Sequence, residues 1–290
     1  MEAATLTRPA PAAGASAPPS ANAPVGELLR HWRQYRRWSQ LDLASEAEVS
    51  TRHLSCMETG RALPSREMLL RLAERLDVPL RERNRLLTAA GYAPMYREHP
   101  LADPAMQPAY AAVQRVLHAH EPYPAIAVDR HWNLVAHNRA ASAFMADLPD
   151  ELMTPPVNVL RASLHPDGLA PRIANFAAWR EHLFERLAHQ IHTSGDPVLA
   201  ALGEELRALP VPPGAAAAVP APRGIVDIAV PLQLHSPLGL LSFISTITVF
   251  GTPVEVTLSE LAIEAFFPAD ETTAKALAAL SSAMAETAPE

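Results

Sequence analysis

The sequence predicts two domains of different fold class, an all-α N-terminal domain of five short helices and an α+β C-terminal domain. The length of 290 residues is about twice that of a typical domain of roughly 150 residues. Charge also divides along the chain, because residues 1–99 carry 14 basic and 11 acidic side chains whereas residues 100–290 carry 10 and 20. A basic first half permits a nucleic-acid partner, although the formal net charge of the whole chain is −7.

Composition excludes several classes of protein. The single cysteine, Cys56, excludes an intramolecular disulfide framework and a cysteine-ligated zinc or iron–sulfur site. The most apolar stretch, 225–250, is interrupted by Asp227 and Pro231, so we expect no membrane span. The first 24 residues contain nine alanines and five prolines but no apolar run of signal-peptide length. We therefore expect residues 1–24 to be a disordered tail and the protein to be cytoplasmic.

The five helices of residues 25–91 are predicted from their caps and their apolar spacing. Ser39, Ser50 and Ser65 suit the N-caps of the second, third and fourth helices. Gly60 and Gly91 suit the residue that follows the end of the third and the fifth. A tight turn at 47–49 separates the second helix from the third, which indicates a helix-turn-helix domain. Apolar residues recur at helical spacing: Val25, Leu28, Leu29, Trp32, Leu43, Ala44, Ala47, Leu54, Met57, Met68, Leu69, Leu72 and Leu76.

Four motifs in this domain, in this order, resemble the xenobiotic-response-element family of helix-turn-helix proteins. They are Ser39-Gln40, Val49-Ser50, Glu58-Thr59-Gly60-Arg61 and Pro64-Ser65. The resemblance implies that the third helix, 50–59, enters the major groove of double-stranded DNA. The residues that it assigns to DNA binding are Gln40, Ser50, Thr51, Arg52, His53, Ser55, Cys56 and Arg61.

The expected roles of these residues differ. Arg52 has the geometry for a two-bond contact to guanine, the commonest base-specific contact in the major groove. Arg61 lies beyond the helix and is expected to contact a phosphate, which positions the protein without reading sequence. Gln40 is similar to the family's glutamine that touches phosphate or base. Glu48 departs from the family, which usually has glycine there; if its φ is positive, the side chain costs roughly 1 kcal/mol.

Four prolines between residues 92 and 108 indicate a linker, and residues 109–284 form the second predicted domain. Its strands are expected at 125–128, 132–136, 228–234, 240–250 and 258–267. Its helices are expected at 139–145, 158–164, 171–192, 196–208 and 271–284, with a proline- and alanine-rich loop at 210–224. Antiparallel strands with segregated helices indicate an α+β fold.

Five strings in this second half resemble the MmyB-like ligand-binding domain and occur in the same order. They are EPYPA at 121–125, HPDGL at 165–169, FGTP at 250–253, VTL at 256–258 and FFPAD at 266–270. The resemblance implies a PAS-like fold and a small apolar, fatty-acid-like effector.

An apolar effector requires a concave pocket lined by aliphatic and aromatic side chains with a few polar groups. Arg161 is a candidate anchor for a carboxylate, and a solvent-facing arginine is the alternative reading. Each apolar candidate is more often a plain core residue, and a solvent-facing position is the commoner one for such an arginine. The candidate ligand-binding residues are Trp132, Phe144, Asn158, Leu160, Arg161, Leu164, Trp179, Leu183, Phe243, Ile247 and Phe250.

No motif for catalysis, metal binding or a cofactor stands out. The sequence has no glycine-rich phosphate loop and no Gly-x-Ser-x-Gly elbow. His182, His189 and His192 approach one helix face, but no cysteine or carboxylate at ligand spacing joins them, so we expect no metal site. We therefore predict a homodimeric one-component transcriptional regulator that is not an enzyme. One alternative is an antitoxin-like protein-interaction module that uses the acidic domain; another is an enzyme that turns over the ligand.

Overall fold

A computed structural model describes residues 20, 22–213, 230–250 and 255–286, with side chains up to residue 282. The chain divides into two compact units, Met1–Tyr96 and Arg97–Glu290. Residues 1–19 of the expected tail, residues 214–224 of the expected loop, the first two residues of the strand expected at 228–234 and residues 251–253 of the FGTP string lie outside the described residues.

The N-terminal unit contains five helices: α1 Val25–Tyr35, α2 Gln40–Glu46, α3 Thr51–Glu58, α4 Arg66–Arg75 and α5 Leu80–Ala89. Ser39, Ser50 and Ser65 each accept a backbone N–H bond at the start of their helix, and Ser39 forms a capping box with Asp42. These bonds satisfy N–H groups that the first turn of a helix leaves without a partner. The all-α prediction for this domain is confirmed.

In this unit, the second residue after the end of each of the five helices is in the left-handed region. Arg37, Glu48 and Asp77 have φ values of +59°, +56° and +48°, and Gly60 and Gly91 have +74° and +82°. Glycine adopts this conformation without strain, whereas a side chain makes it costly. Glu48 therefore has the positive φ that would make it an unfavourable replacement for glycine.

The C-terminal unit contains a five-stranded antiparallel sheet with the order β2-β1-β5-β4-β3. Its strands are β1 Ala125–Val128, β2 Leu134–His137, β3 Leu232–Ser236, β4 Gly239–Val249 and β5 Ala262–Pro268. Its helices are α6 Gln107–Ala119, α7 Arg139–Met145, α8 Asp150–Met153, α9 Val159–Leu164, α10 Phe176–Ser194, α11 Pro197–Ala208, α12 Val256–Ser259 and α13 Glu271–Glu286. The α+β prediction is confirmed.

The two faces of the sheet bury different helices. On one face, Ala125, Ala127 and Ile263 pack with Val113 and Leu117 of α6. The other face packs against α10, whose buried stripe is Phe176, Trp179, Leu183 and Leu187. Because side chains alternate between faces along a strand, Ile126 and Glu264 point to the same side as α10 and lie directly opposite each other on β1 and β5.

Two strand predictions differ from the structure because side chains stabilise turns there. The strand expected from Trp132 begins at Leu134, since Asp129 Oδ1 accepts the backbone N–H groups of His131 and Asn133, both at 2.8 Å, and holds a turn. Trp132 has a φ of +66° in this turn. The strand expected at 258–267 starts with the helical turn α12, which Glu255 caps.

The helix expected at 171–192 is divided. A short 3-10 helix, Ala170–Arg172, precedes it, and α10 starts only at Phe176. Between them, Ile173 forms a bridge with Leu234, and the Ala174 N–H donates to the Gln233 carbonyl at 2.8 Å. Pairing with the edge of β3 therefore replaces helical hydrogen bonds in this segment.

Besides the turn α12, two further helices of the C-terminal unit were not expected from the sequence, α6 and α8. Helix α6 begins inside the expected linker, and its proline at the second position is compatible with a first turn. It buries only Val113 and Leu117 completely, so its apolar stripe is weak. The single turn α8 buries no residue and has no apolar signal.

Candidate functional site

Helix α3 is positioned by its buried side and presents a polar side to solvent. Leu54 and Met57 are completely buried in the core of the N-terminal unit. Ser50 caps the helix by accepting the His53 N–H at 3.1 Å. On the other side Arg52 and His53 are exposed, and Thr51, Ser55 and Cys56 are half-buried. The expected DNA-facing residues of α3 thus lie together at the surface.

The two candidate DNA-binding arginines are available to a partner. Arg52 and Arg61 are both exposed. Within the described part of the chain, neither guanidinium has a hydrogen bond or an ion pair. The Arg61 backbone N–H donates to the Cys56 carbonyl at 2.8 Å, which fixes the chain directly after the helix. A free guanidinium has five donors for phosphate or guanine.

Gln40 is held inside the unit by Glu58, a contact that sequence reasoning missed. Its Nε2 donates to Glu58 Oε2 at 2.8 Å. Glu58, at the end of α3, is 4% exposed and also accepts two bonds from Arg33 of α1, at 2.6 and 2.9 Å. Burial alone would raise the pKa of Glu58, but the bonds from Arg33 and Gln40 and the nearby guanidinium charges outweigh it and lower that pKa. The only signal of this network in the sequence was the position of Glu58 on the inward side of the predicted third helix.

The C-terminal unit contains a partly open apolar cavity of about 120 Å³ between the sheet and helices α7, α9 and α10. Six of the expected ligand-binding residues line it: Trp132, Phe144, Leu160, Trp179, Leu183 and Phe243. Further lining residues include Ile126, Met145, Leu148, Val159, Ser163, Leu169 and Phe266. The aromatic rings of Phe144, Phe243 and Phe266 form successive edge-to-face pairs, with centroids 5.9 and 6.3 Å apart.

Five of the expected ligand-binding residues do not line this cavity. Leu164 is buried in the surrounding core. Asn158 caps α9 by accepting the Arg161 N–H and donates to the His131 carbonyl. Ile247 is 50% exposed near the end of β4, and Phe250 packs with the core around α6.

Arg161 is the fifth, and it binds a carboxylate of the protein itself. Its Nε and Nη2 donate to the two carboxylate oxygens of Glu205 on α11, at 2.6 and 2.7 Å. This hydrogen bonding raises the pKa of Arg161 and lowers that of Glu205. The pair is close to half exposed on both sides, so its energetic contribution is small. The structure therefore gives no support to Arg161 as an anchor in the cavity.

A buried ion pair at the cavity wall was also missed from the sequence. Glu264 lines the cavity and is 4% exposed. Arg186 of α10 donates to its Oε1 at 2.8 Å and to its Oε2 at 3.3 Å. The Arg186 guanidinium also lies over the ring of Trp132, 4.7 Å from its centroid. The available signal was an acid among the apolar residues 261–267 of the predicted strand.

The comparison with protein families identifies a domain in each half of the chain. Residues 109–280 match the family described as MmyB-like transcription regulator ligand binding domain. This chain belongs to the MmyB-like transcription regulators. Residues 24–86 of the regulator match a helix-turn-helix domain, so the chain joins a DNA-binding domain to a ligand-binding domain, and both families are regulatory. A search of curated proteins finds no match.

Two further findings concern the described residues of the regulator. No helix among them is long and apolar enough to cross a membrane. No group of three or more histidine, cysteine, aspartate or glutamate side chains in the described ranges could hold a metal ion. Burial, together with the nearby charge of Arg186, lowers the pKa of His182.

Proposed function

We propose that this protein is a one-component transcriptional regulator that binds operator DNA through helix α3 and responds to a small apolar effector in the cavity. The observation that carries the proposal is the presence, in one chain, of an exposed polar side on α3 and an apolar cavity in the second unit. Residues 25–91 are the proposed DNA-binding domain of xenobiotic-response-element type. Residues 109–284 are the proposed PAS-like effector domain, with residues 92–108 as the linker.

In the proposed DNA complex, Arg52 reads a guanine and Arg61 contacts a phosphate. Thr51, His53, Ser55 and Cys56 lie beside them on α3. Ser50 orients the start of the helix, and Gln40, held by Glu58, lies at the start of α2. Two such helices in a homodimer would contact DNA about one helical turn apart and multiply a weak single contact. Because its target is DNA, we place the regulator in the cytoplasm.

Replacing each arginine tests the DNA-binding assignment. Arg52→Ala should relax specificity at one base-pair position by about 1–3 kcal/mol. Arg61→Ala should weaken binding to all sequences and lower the slope of affinity against salt by about one. The measurement is affinity for sites selected from random DNA, at several salt concentrations.

Arg115→Ala provides the matched control, because Arg115 is an exposed arginine on α6 of the other unit. It should change neither property. Equal losses of affinity in Arg52→Ala and Arg61→Ala across all DNA sequences would show that α3 does not read bases.

The proposed effector is apolar and fatty-acid-like. The lining of aromatic and aliphatic side chains supports an apolar molecule. The cavity volume of about 120 Å³ is below the roughly 300–1,000 Å³ of common ligand sites, so a long acyl chain requires the cavity to enlarge. Phe144 and Met145 of α7, both half-buried, are lining residues with room to move. A concave cavity with an apolar lining favours an effector over the antitoxin-like alternative, which needs only an exposed interface.

A further inference from the structure

Glu264 places a buried carboxylate on the wall of an otherwise uncharged cavity. It lies in the centre of the sheet, opposite Ile126 of β1 and Ile247 of β4. It is 4% exposed. Among the described residues that line the cavity, Glu264 has the only charged side chain. A buried charge at such a position is costly unless its hydrogen-bonding capacity is used.

Arg186 uses only part of that capacity. It provides one bond of 2.8 Å and one of 3.3 Å, whereas a carboxylate offers about four acceptor positions. In the described part of the chain, no other donor binds Glu264. Arg186 is itself fixed over the Trp132 ring. The carboxylate therefore keeps free acceptor positions, and its residue is one of those that line the cavity.

Ser163 is a second polar side chain among the described residues that line the cavity. Its Oγ accepts the Trp179 Nε1–H at 3.3 Å, and its own hydroxyl hydrogen remains one neutral donor. One neutral donor is a weak match for a free carboxylate, which prefers charged or multiple donors. The lining thus favours a ligand that donates a hydrogen bond over one that brings a negative charge.

We infer that Glu264 accepts a hydrogen bond from the effector, so that the apolar, fatty-acid-like chain carries a hydroxyl or amine group at the end that meets β5. A free carboxylate at this point is rejected, because two carboxylates share a site only when one of them takes up a proton. An acidic effector fits only with its carboxylate away from Glu264. The inference rests on the proposed function, namely that the cavity holds the effector.

Probes of one size and different head groups test the inference on the full-length protein. The cavity of about 120 Å³ is partly open and close in size to a closed cavity of about 150 Å³ that binds benzene. We therefore choose the single-ring probes toluene, benzyl alcohol, benzylamine and benzoate and measure binding by calorimetry. Benzyl alcohol and benzylamine should bind at least about tenfold more tightly than benzoate. Glu264→Gln should reverse this order, because it removes the negative charge and leaves Arg186 available to benzoate.

Glu205→Gln is the matched control, since it removes the carboxylate of a similar two-bond pair outside the cavity. It should leave the order of the probes unchanged. If benzoate binds the unaltered protein as tightly as benzyl alcohol and benzylamine do, the inference about Glu264 is wrong, whereas the proposed effector site still stands. This comparison does not need the Glu264→Gln variant to fold. Absence of binding by all four probes, toluene included, would instead overturn the proposed effector site.

Discussion

Glu48 combines two unfavourable features in one side chain. It has a φ of +56° at the end of α2, where the Val49 N–H closes the turn on the Ala44 carbonyl at 2.9 Å. It also places a negative charge in the turn that leads into the proposed DNA-reading helix. Glycine removes the strain, because it has no Cβ to clash in the left-handed region.

Replacing Glu48 should therefore improve both stability and DNA binding. Glu48→Gly should stabilise the N-terminal unit by about 0.5–1 kcal/mol, measured by denaturant unfolding. Glu48→Gln is the control that removes the charge and keeps the strain, so it should raise DNA affinity without the gain in stability. Equal stability of the two variants would mean that the turn is not strained.

Helices α1, α2 and α3 are joined through one buried carboxylate. Glu58 of α3 binds Arg33 of α1 and Gln40 of α2, and Arg30 lies 3.7 Å away. Breaking such a pair leaves a buried, unpaired charge and costs about 3–5 kcal/mol. The contact therefore sets the orientation of α3, the proposed DNA-reading helix, as well as its stability.

The stabilisation that the Glu58 carboxylate gives to the folded protein should depend on pH. The pKa of Glu58 is lower in the folded protein than in the unfolded chain, so the folded state binds fewer protons. Its stabilising effect is present above the unfolded value of about 4.3 and is lost as the pH falls below it.

Glu58→Ala should thus destabilise the protein by about 3–5 kcal/mol at neutral pH, and this difference from the unaltered protein should shrink below about pH 4.3. Denaturant unfolding across the pH range measures it. Glu205→Ala, which removes a half-exposed pair, should cost no more than about 1 kcal/mol. A difference for Glu58→Ala that does not change with pH would contradict the role of its charge.

Sequence reasoning succeeded for elements with strong local signals and failed where distant contacts decide. Serine caps predicted the starts of α2, α3 and α4, because a cap bonds to a backbone group three residues away. Residues 173–175 were wrongly assigned to the longest helix, because their hydrogen bonds go to β3, about sixty residues later in the chain. Helix α6 was missed because few of its residues are buried.

The two halves of the whole chain differ in charge, as expected if the first binds DNA and the second binds the effector. Residues 1–99 have the positive balance and contain the candidate DNA-binding arginines, whereas residues 100–290 are acidic and contain the cavity. Regulation then requires that the effector bind more tightly to one arrangement of the molecule than to another. We expect helix α10 to respond to the effector, because it contributes Trp179 and Leu183 to the cavity lining.

Effector and DNA should therefore influence each other. A ligand identified by mass spectrometry of small molecules released from the denatured protein should change operator affinity by about 5–150-fold. Operator DNA should change the affinity for that ligand by the same factor, because such coupling is reciprocal. Phe144→Trp fills the cavity and should abolish the ligand effect while DNA binding persists. Equal operator affinities with and without saturating ligand would rule out the coupling.

The amino-acid sequence by itself determined the two fold classes, the caps of α2, α3 and α4 and six residues of the cavity lining. Those features depend on periodicity and on bonds between near neighbours in the chain. Only the tertiary structure decided that Arg161 binds Glu205 and that Glu264 meets Arg186, residues separated by 44 and 78 positions. Pairings of that range depend on how the sheet and helices pack, which no local pattern specifies, and they decide which charges face the cavity.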